Sequence, residues 1–256
     1  MQESNIVSGI PSSSFSDIKL CHDCSLSKSQ HRPVKGVSHQ MVNQPGDLIV
    51  ADLMGPYESS LKNKKYILMI QDTFSQVVVA IPLTDKSEAK TYLINWIRQF
   101  LNITNYKIKK LRTDNGTKFK NHLLNDYLLA NGIIHEYSMH YEHHQNGQIE
   151  RTNRKISEVA FTCLLSANLP AFLWPWALQH SVWIFKQYLH AKSKIKPFEI
   201  LGKKHPSLEL LWVFGAKSFI YEHNFKKDFS AREIVGYHMG VSEDLKGWLF
   251  WVPNRK

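Results

Sequence analysis

The chain has 256 residues, 43% hydrophobic and 21% charged. That composition supports a globular fold with a sizeable core and excludes a wholly disordered or fibrous chain. The net charge of +10 is uneven: residues 1–50 hold 4 basic and 4 acidic side chains, residues 51–150 hold 12 and 10, and residues 151–256 hold 16 and 8. A basic carboxyl half fits a polyanionic partner, nucleic acid or an anionic membrane surface, and equally an ordinary lysine-rich soluble protein.

Residues 1–46 are polar and irregular, with Cys21-His-Asp-Cys24 inside them. The apolar run Leu48 to Met54, stopped by Gly55-Pro56, reads as a first strand. Tyr66 to Asp72 and Gln76 to Ile81 read as a hairpin across Thr73 to Ser75. Asp85 with Glu88 three residues on predicts a helix start, and Ala89, Leu93, Trp96, Ile97 and Phe100 mark one buried stripe. Ile108 to Thr113 is a fourth strand. Phe119 to Ala130 is a second helix ended by Asn131-Gly132, and Ile133 to Tyr137 is a fifth strand.

A His-rich loop follows, and Gln148 opens a long helix with Ile149, Ile156, Ala160, Cys163 and Ala167 on one stripe, ended at Pro170. Cys163 on that stripe reads as an inert core thiol. Ala171 to His190 is a further helix. Beyond Leu210, short apolar pieces (Trp212 to Phe214, Ser218 to Tyr221, Glu233 to Tyr237, Trp248 to Val252) are split by glycines and read as a small all-β module, with Trp212, Trp248 and Trp251 in its core. The order predicts an α/β fold, a mixed five-stranded sheet with flanking helices.

Three acids carry the chemistry. Asp52 lies near the end of the first strand, Asp114 just past the fourth, and Glu150 in the first turns of the long helix. Side chains at one sheet edge converge on a crevice. Three carboxylates gathered there repel one another, which a divalent cation relieves. As isolated acids the three would be turn residues and a solvated helix residue.

The spacing and the flanks point further. Thirty-five residues separate Asp114 from Glu150. With Asp52-Leu-Met-Gly-Pro56, Arg112-Thr-Asp-Asn-Gly116 and Gln145-Asn-Gly-Gln-Ile-Glu-Arg-Thr-Asn-Arg154, the chain resembles the D,D-35-E integrases of retroviruses and retrotransposons. Ser29-Gln-His-Arg-Pro33, Phe214-Gly215, Gly236-Tyr237 and Lys246-Gly247 narrow the resemblance to the copia type of long-terminal-repeat retrotransposon, whose integrase is part of a Gag-Pol polyprotein. It covers roughly residues 15–253. The chain departs from the family pattern at Lys118, where Glu is common, and at His143 and His144, where Pro-Gln is usual.

The resemblance implies an RNase H-like catalytic core with Asp52, Asp114 and Glu150 as catalytic residues and metal ligands. They would hold two Mg²⁺ ions, with Mn²⁺ able to substitute. Water would trim the 3′ ends of element DNA, and the freed 3′-hydroxyl would attack a target phosphodiester, with no covalent protein–DNA intermediate. It also implies DNA contacts from Asn115, Gly116, Asn146, Gly147, Arg151, Asn153, Arg154 and Lys155, and assembly as a homo-oligomer on DNA. The expected domains are an incomplete zinc-type segment and linker (1–44), the catalytic core (45–168), a helical connector (169–208) and a small β-barrel-like DNA-binding module (209–256).

Cys21 and Cys24 have zinc-knuckle spacing but supply two of the four ligands a structural site needs. The two upstream histidines of the family pattern are absent, so His31 or His39 would have to substitute. Zinc is not expected in this chain, residues 1–40 are expected to be poorly ordered, and Met1 is expected to lie downstream of the full module. His140, His143 and His144 read as loop residues rather than ligands. No P-loop pattern is present, so no nucleotide triphosphate is implied and no nucleotide cofactor is expected. The apolar stretch Leu169 to Phe185 is broken by Pro170, Pro175, Gln179 and His180, so no bilayer span is expected. Three cysteines and no signal-type leader favour a reducing compartment, cytoplasm or nucleus, and the resemblance implies assembly in the cytoplasm and work in the nucleus. A catalytically inactive or domesticated nucleic-acid-binding remnant, and a nuclease on the same fold, are the rival readings.

Overall fold

The computed structural model describes residues 42–116, 118–138, 147–187, 197–200, 211–221, 232–242 and 247–253. At its centre lie five strands: β1 (Ile49–Met54), β2 (Tyr66–Asp72), β3 (Val78–Leu83), β4 (Lys110–Thr113) and β5 (Ile134–Tyr137). They form one sheet in the order β3-β2-β1-β4-β5. β1, β2 and β3 pair antiparallel, while β4 pairs parallel with both β1 and β5. The helices are α1 (Ala89–Ile103), α2 (His122–Ala130), α3 (Gly147–Ser166), α4 (Trp174–Gln187) and the short α5 (Pro197–Ile200). This is the mixed five-stranded sheet with flanking helices that the element order implies.

Alternation along β1 divides the core in two. Ile49 and Ala51 face α1 and α2, against Leu93, Ile97, Phe100, Leu124 and Leu128. Leu48 and Val50 face the other way, against Ile149 and Ile156 of α3 and Leu178 and Val182 of α4. The whole expected stripe of α1 is buried. Its start differs in detail. Asp85 accepts a hydrogen bond from the Ser87 amide and caps a 3₁₀ turn, Lys86–Glu88, from which α1 continues. Glu88 accepts from the Thr84 amide at 3.1 Å, so the reciprocal bond falls one residue before the cap.

The carboxyl-terminal module contains β6 (Lys217–Tyr221), β7 (Glu233–Val241) and β8 (Trp248–Trp251), all antiparallel in the order β6-β7-β8. Among the described residues this is an open three-stranded sheet rather than a closed barrel. Trp212 to Phe214 is not a strand: Ala216 donates back to the Val213 carbonyl in a turn at Gly215, whose φ is +76°. Phe214 and Met239 pack with Ala160, Leu164, Leu173 and Ala177, seating the module on α3 and α4.

Among the described residues, one face of the small sheet is covered in this way. Trp212 and Trp248 are 53% and 41% exposed, their rings 5.7 Å apart, contrary to the expected core placement. Trp251 is half-buried, edge-on to Phe172 at 6.1 Å. No helix among the described residues is long and apolar enough to cross a membrane.

Candidate active site

The sheet register brings two of the three acids together. Ala51 of β1 is paired with Thr113 of β4 in parallel register. Asp52 and Asp114 are each one residue further on, so they leave adjacent strands at the same level. Both belong to the alternation that faces α3, since Val50 on that alternation packs against Ile149 and Ile156.

Asp52 is half-buried. One carboxylate oxygen accepts from the Leu53 amide at 2.8 Å and the other from the Asn153 side-chain amide at 3.0 Å. Burial nevertheless lifts the Asp52 carboxyl above the usual carboxylate range, and the nearby Asp114 adds to that rise. The two hydrogen bonds and the Lys118 ammonium pull the other way. Asp114 accepts from the Gly116 amide at 3.2 Å and pairs with Lys118 Nζ at 2.9 Å.

Glu150 stands in the first turn of α3, exposed to solvent. It lies three residues before Asn153, hence on the neighbouring part of the same helical face. Among the described residues no three His, Cys, Asp or Glu side chains are close enough to hold one metal ion together. The three carboxylates therefore do not gather into one site as expected: Asp52 and Asp114 leave adjacent strands at one level, and Glu150 is exposed on α3.

The other candidate residues fall into place around this edge. Asn153 is 5% exposed and grips Asp52, while its own Oδ1 is buried without a hydrogen-bond partner. It therefore positions a carboxylate, whereas the sequence reading gives it a DNA contact. Arg151, Arg154 and Lys155 are exposed on α3, as is Asn115 beside Asp114. Gly116 follows in the same turn and Gly147 begins α3. Asn146, His140, His143 and His144 lie outside the described residues, and so do Cys21, Cys24, His31 and His39.

Sequence reasoning notes Lys118 as a departure from the family pattern but misses its partner. The i,i+4 spacing of Asp114 and Lys118 carries that signal only where the chain is helical, and here it turns instead. It also misses Glu136, which pairs with Arg112 at 2.8 Å and Lys110 at 2.7 Å across the β4–β5 register. Burial would raise the Glu136 carboxyl, but the hydrogen bonds from those two cations outweigh it and hold the group below its usual range. Cys163 is half-buried, and burial pushes its thiol up to about 11, so it stays protonated as an inert core thiol should.

With this geometry in place, comparison with known proteins identifies the class. Residues 42–143 match the family described as Integrase core domain, a span that includes Asp52 and Asp114 and ends before Glu150. The chain is 30% identical over 231 residues to the Retrovirus-related Pol polyprotein from transposon RE2 of Arabidopsis thaliana, covering 88% of this chain and 16% of that protein. It is 26% identical over 245 residues to the Truncated transposon Ty1-A Gag-Pol polyprotein of Saccharomyces cerevisiae, covering 92% of this chain and 20% of that one. The fold is similar to a chain in the simian T-cell lymphotropic virus intasome in complex with PP2A regulatory subunit B56 gamma, at TM-score 0.52 and 18% identity, covering 90% of this chain and 85% of the other.

Residues 42–143 match an integrase core domain, and over most of its length the chain is similar to part of the Pol and Gag-Pol polyproteins of retrotransposons. It spans about a fifth or less of the length of these curated relatives.

Proposed function

We propose that the chain carries out the DNA chemistry of a retrotransposon integrase, metal-dependent 3′-end processing and strand transfer. The observation that carries the reading is the placement of Asp52 and Asp114 at one level of two adjacent parallel strands, facing the helix that bears Glu150. The donor set fits a divalent cation. It is all oxygen, which suits hard ions such as Mg²⁺ and Mn²⁺. Asp52 is destabilised as an anion by burial, and beside it the Asn153 Oδ1 is buried without a partner.

Asp52 and Asp114 would hold the metal, and Glu150 on α3 is the third carboxylate that the reading assigns to it. The bound pair of ions would supply Lewis-acid polarisation of the phosphodiester and activation of the attacking oxygen. The chain's own residues do the rest. Asn153 fixes the Asp52 carboxylate. Arg151, Arg154 and Lys155, exposed on the same helix, offer phosphate contacts whose strength falls with salt. We read residues 209–256 as a further DNA-binding module and the working assembly as a homo-oligomer on DNA. Because Phe214 and Met239 are packed on α3 and α4, cutting the chain near residue 208 would strip the core as well as remove charge. Charge substitutions are the cleaner probe.

The test is a strand-transfer assay of the full chain on DNA carrying a processed element end, with Mg²⁺ or Mn²⁺. Asp114→Asn is expected to lower strand transfer about a thousandfold or more. DNA affinity should stay equal or rise slightly, one repelling charge having gone. Replacing Arg151, Arg154 and Lys155 by Gln should flatten the log–log salt dependence of DNA binding, its slope falling by about 1 for every phosphate no longer neutralised. No strand transfer by the unmodified chain with either metal would favour the inactive-remnant reading instead.

A further inference from the structure

We propose that Lys118 is a built-in counter-cation of the carboxylate edge, taking up the negative charge that a divalent ion would otherwise take up, so that metal binds by displacing it. The inference rests on the reading of Asp114 as a metal ligand, and it adds a residue that competes for that role.

The ion pair is built rather than incidental. Lys118 Nζ lies 2.9 Å from Asp114 Oδ2, and the lysine side chain is only 18% exposed. By contrast, the surface pair Lys109–Asp47 leaves its lysine 59% exposed. Gly116 lies directly beneath the pair. A Cβ on that residue would stand 3.3 Å from Lys118 Cε and 3.1 Å from Asp114 Oδ1, tighter than nearly all side-chain contacts. The lysine stem and the Asp114 carboxylate thus pack close over Gly116. Phe119, fully buried in the main core, anchors the backbone at the next residue, and its ring centroid is 5.5 Å from the ammonium.

The charge balance makes the pair competitive with metal. Asp52 and Asp114 present two negative charges at one level, with Lys118 within electrostatic reach of both. One ammonium offsets half of that charge. A divalent ion offsets all of it, and the ammonium left beside the ion would then repel it. Metal binding must therefore break a charge-assisted hydrogen bond and expel the lysine, which weakens metal affinity by about tenfold relative to a chain without the ammonium.

Mn²⁺ binding to the full chain, without DNA, reads this directly by the electron paramagnetic resonance signal of the free ion. Lys118→Met keeps the length of the stem and removes the charge. It is expected to tighten Mn²⁺ binding about tenfold. Lys118→Arg keeps the charge and should bind as the unmodified chain does. Asp114→Asn should abolish the site in either background, and thermal unfolding of each variant reports that the fold is retained.

If Lys118→Met and the unmodified chain bind Mn²⁺ equally while Asp114→Asn still abolishes binding, the counter-cation role is overturned and the metal reading of Asp114 stands. If Asp114→Asn changes nothing in either background, the metal reading falls and the counter-cation role falls with it.

Discussion

The helix pair α3–α4 touches two clusters of titratable groups and treats them in opposite ways. At the sheet edge, Asp52 and Asp114 keep access to solvent and to polar partners: the Leu53 and Gly116 amides, Asn153 and Lys118. At the seam with the carboxyl-terminal sheet, His180 of α4 and His238 of β7 are 4% and 0% exposed. Their rings meet edge to face at 6.2 Å, with Phe214 at 5.4 Å from His180 and Phe250 at 5.9 Å from His238. His180 Nδ1 and His238 Nε2 are buried without a hydrogen-bond partner. Gly240, at φ +115°, leaves the gap into which the His180 ring fits.

Burial, with His238 adding to it, pushes His180 down to about 4, and burial also lowers His238. The edge keeps its charges where a cation can reach them, and the seam suppresses charge to pack. Neighbouring surfaces of one helix pair thus differ, one leaving carboxylates beside polar partners and solvent and the other packing uncharged rings, and perturbation should separate them.

The largest effect is expected at the seam. Phe214→Ala removes a 5%-exposed ring that joins the module to α3 and α4. It should cost about 3–5 kcal/mol of stability by denaturant unfolding. A loss below about 1 kcal/mol would mean that the module contributes little to the fold.

The pH response comes next. In the folded chain His180 is held from about 6.5 down to about 4. The unfolded chain, with the ordinary value, therefore binds the extra proton first, and stability rises with pH. The contribution is fully present above about pH 6.5 and is lost as the pH falls through about 4, a decline of about 3 kcal/mol from His180. His180→Phe should flatten that part of the stability–pH curve, and an unaltered curve would contradict a neutral buried imidazole.

The smallest effect is at the edge. Asp52→Asn removes a carboxylate that burial disfavours. It should change stability by no more than about 1 kcal/mol in either direction while ending strand transfer. A large loss of stability would recast Asp52 as a structural residue.

The elements were legible wherever one periodicity dominated. The α1 stripe, the β2–β3 hairpin and the Asn131-Gly132 stop all follow local rules. Gly132 sits at φ +66°, and Ile133 donates to the Leu128 carbonyl. Helix starts were less legible because caps compete over one or two residues. Asn121, which accepts from the Leu124 amide, begins α2 later than Phe119, and Phe119 is spent on the core instead.

In the site, the Asp52–Asp114 pairing follows from strand ends alone. Asn153 holding Asp52 links residues 101 positions apart, and no local pattern encodes that. The exposure of Trp248 has a similar reason, since burial there depends on which face of the small sheet packs on α3 and α4, while Trp212 lies before the sheet begins.

The most direct test of the central claim, that Asp52 and Asp114 form a divalent-cation site, is a crystal structure of the chain grown with Mn²⁺, with the ion located by its anomalous scattering. The account predicts an anomalous peak coordinated by both carboxylates, with Lys118 moved off Asp114. Density absent from that edge at saturating Mn²⁺, with the Lys118–Asp114 pair intact, would contradict it.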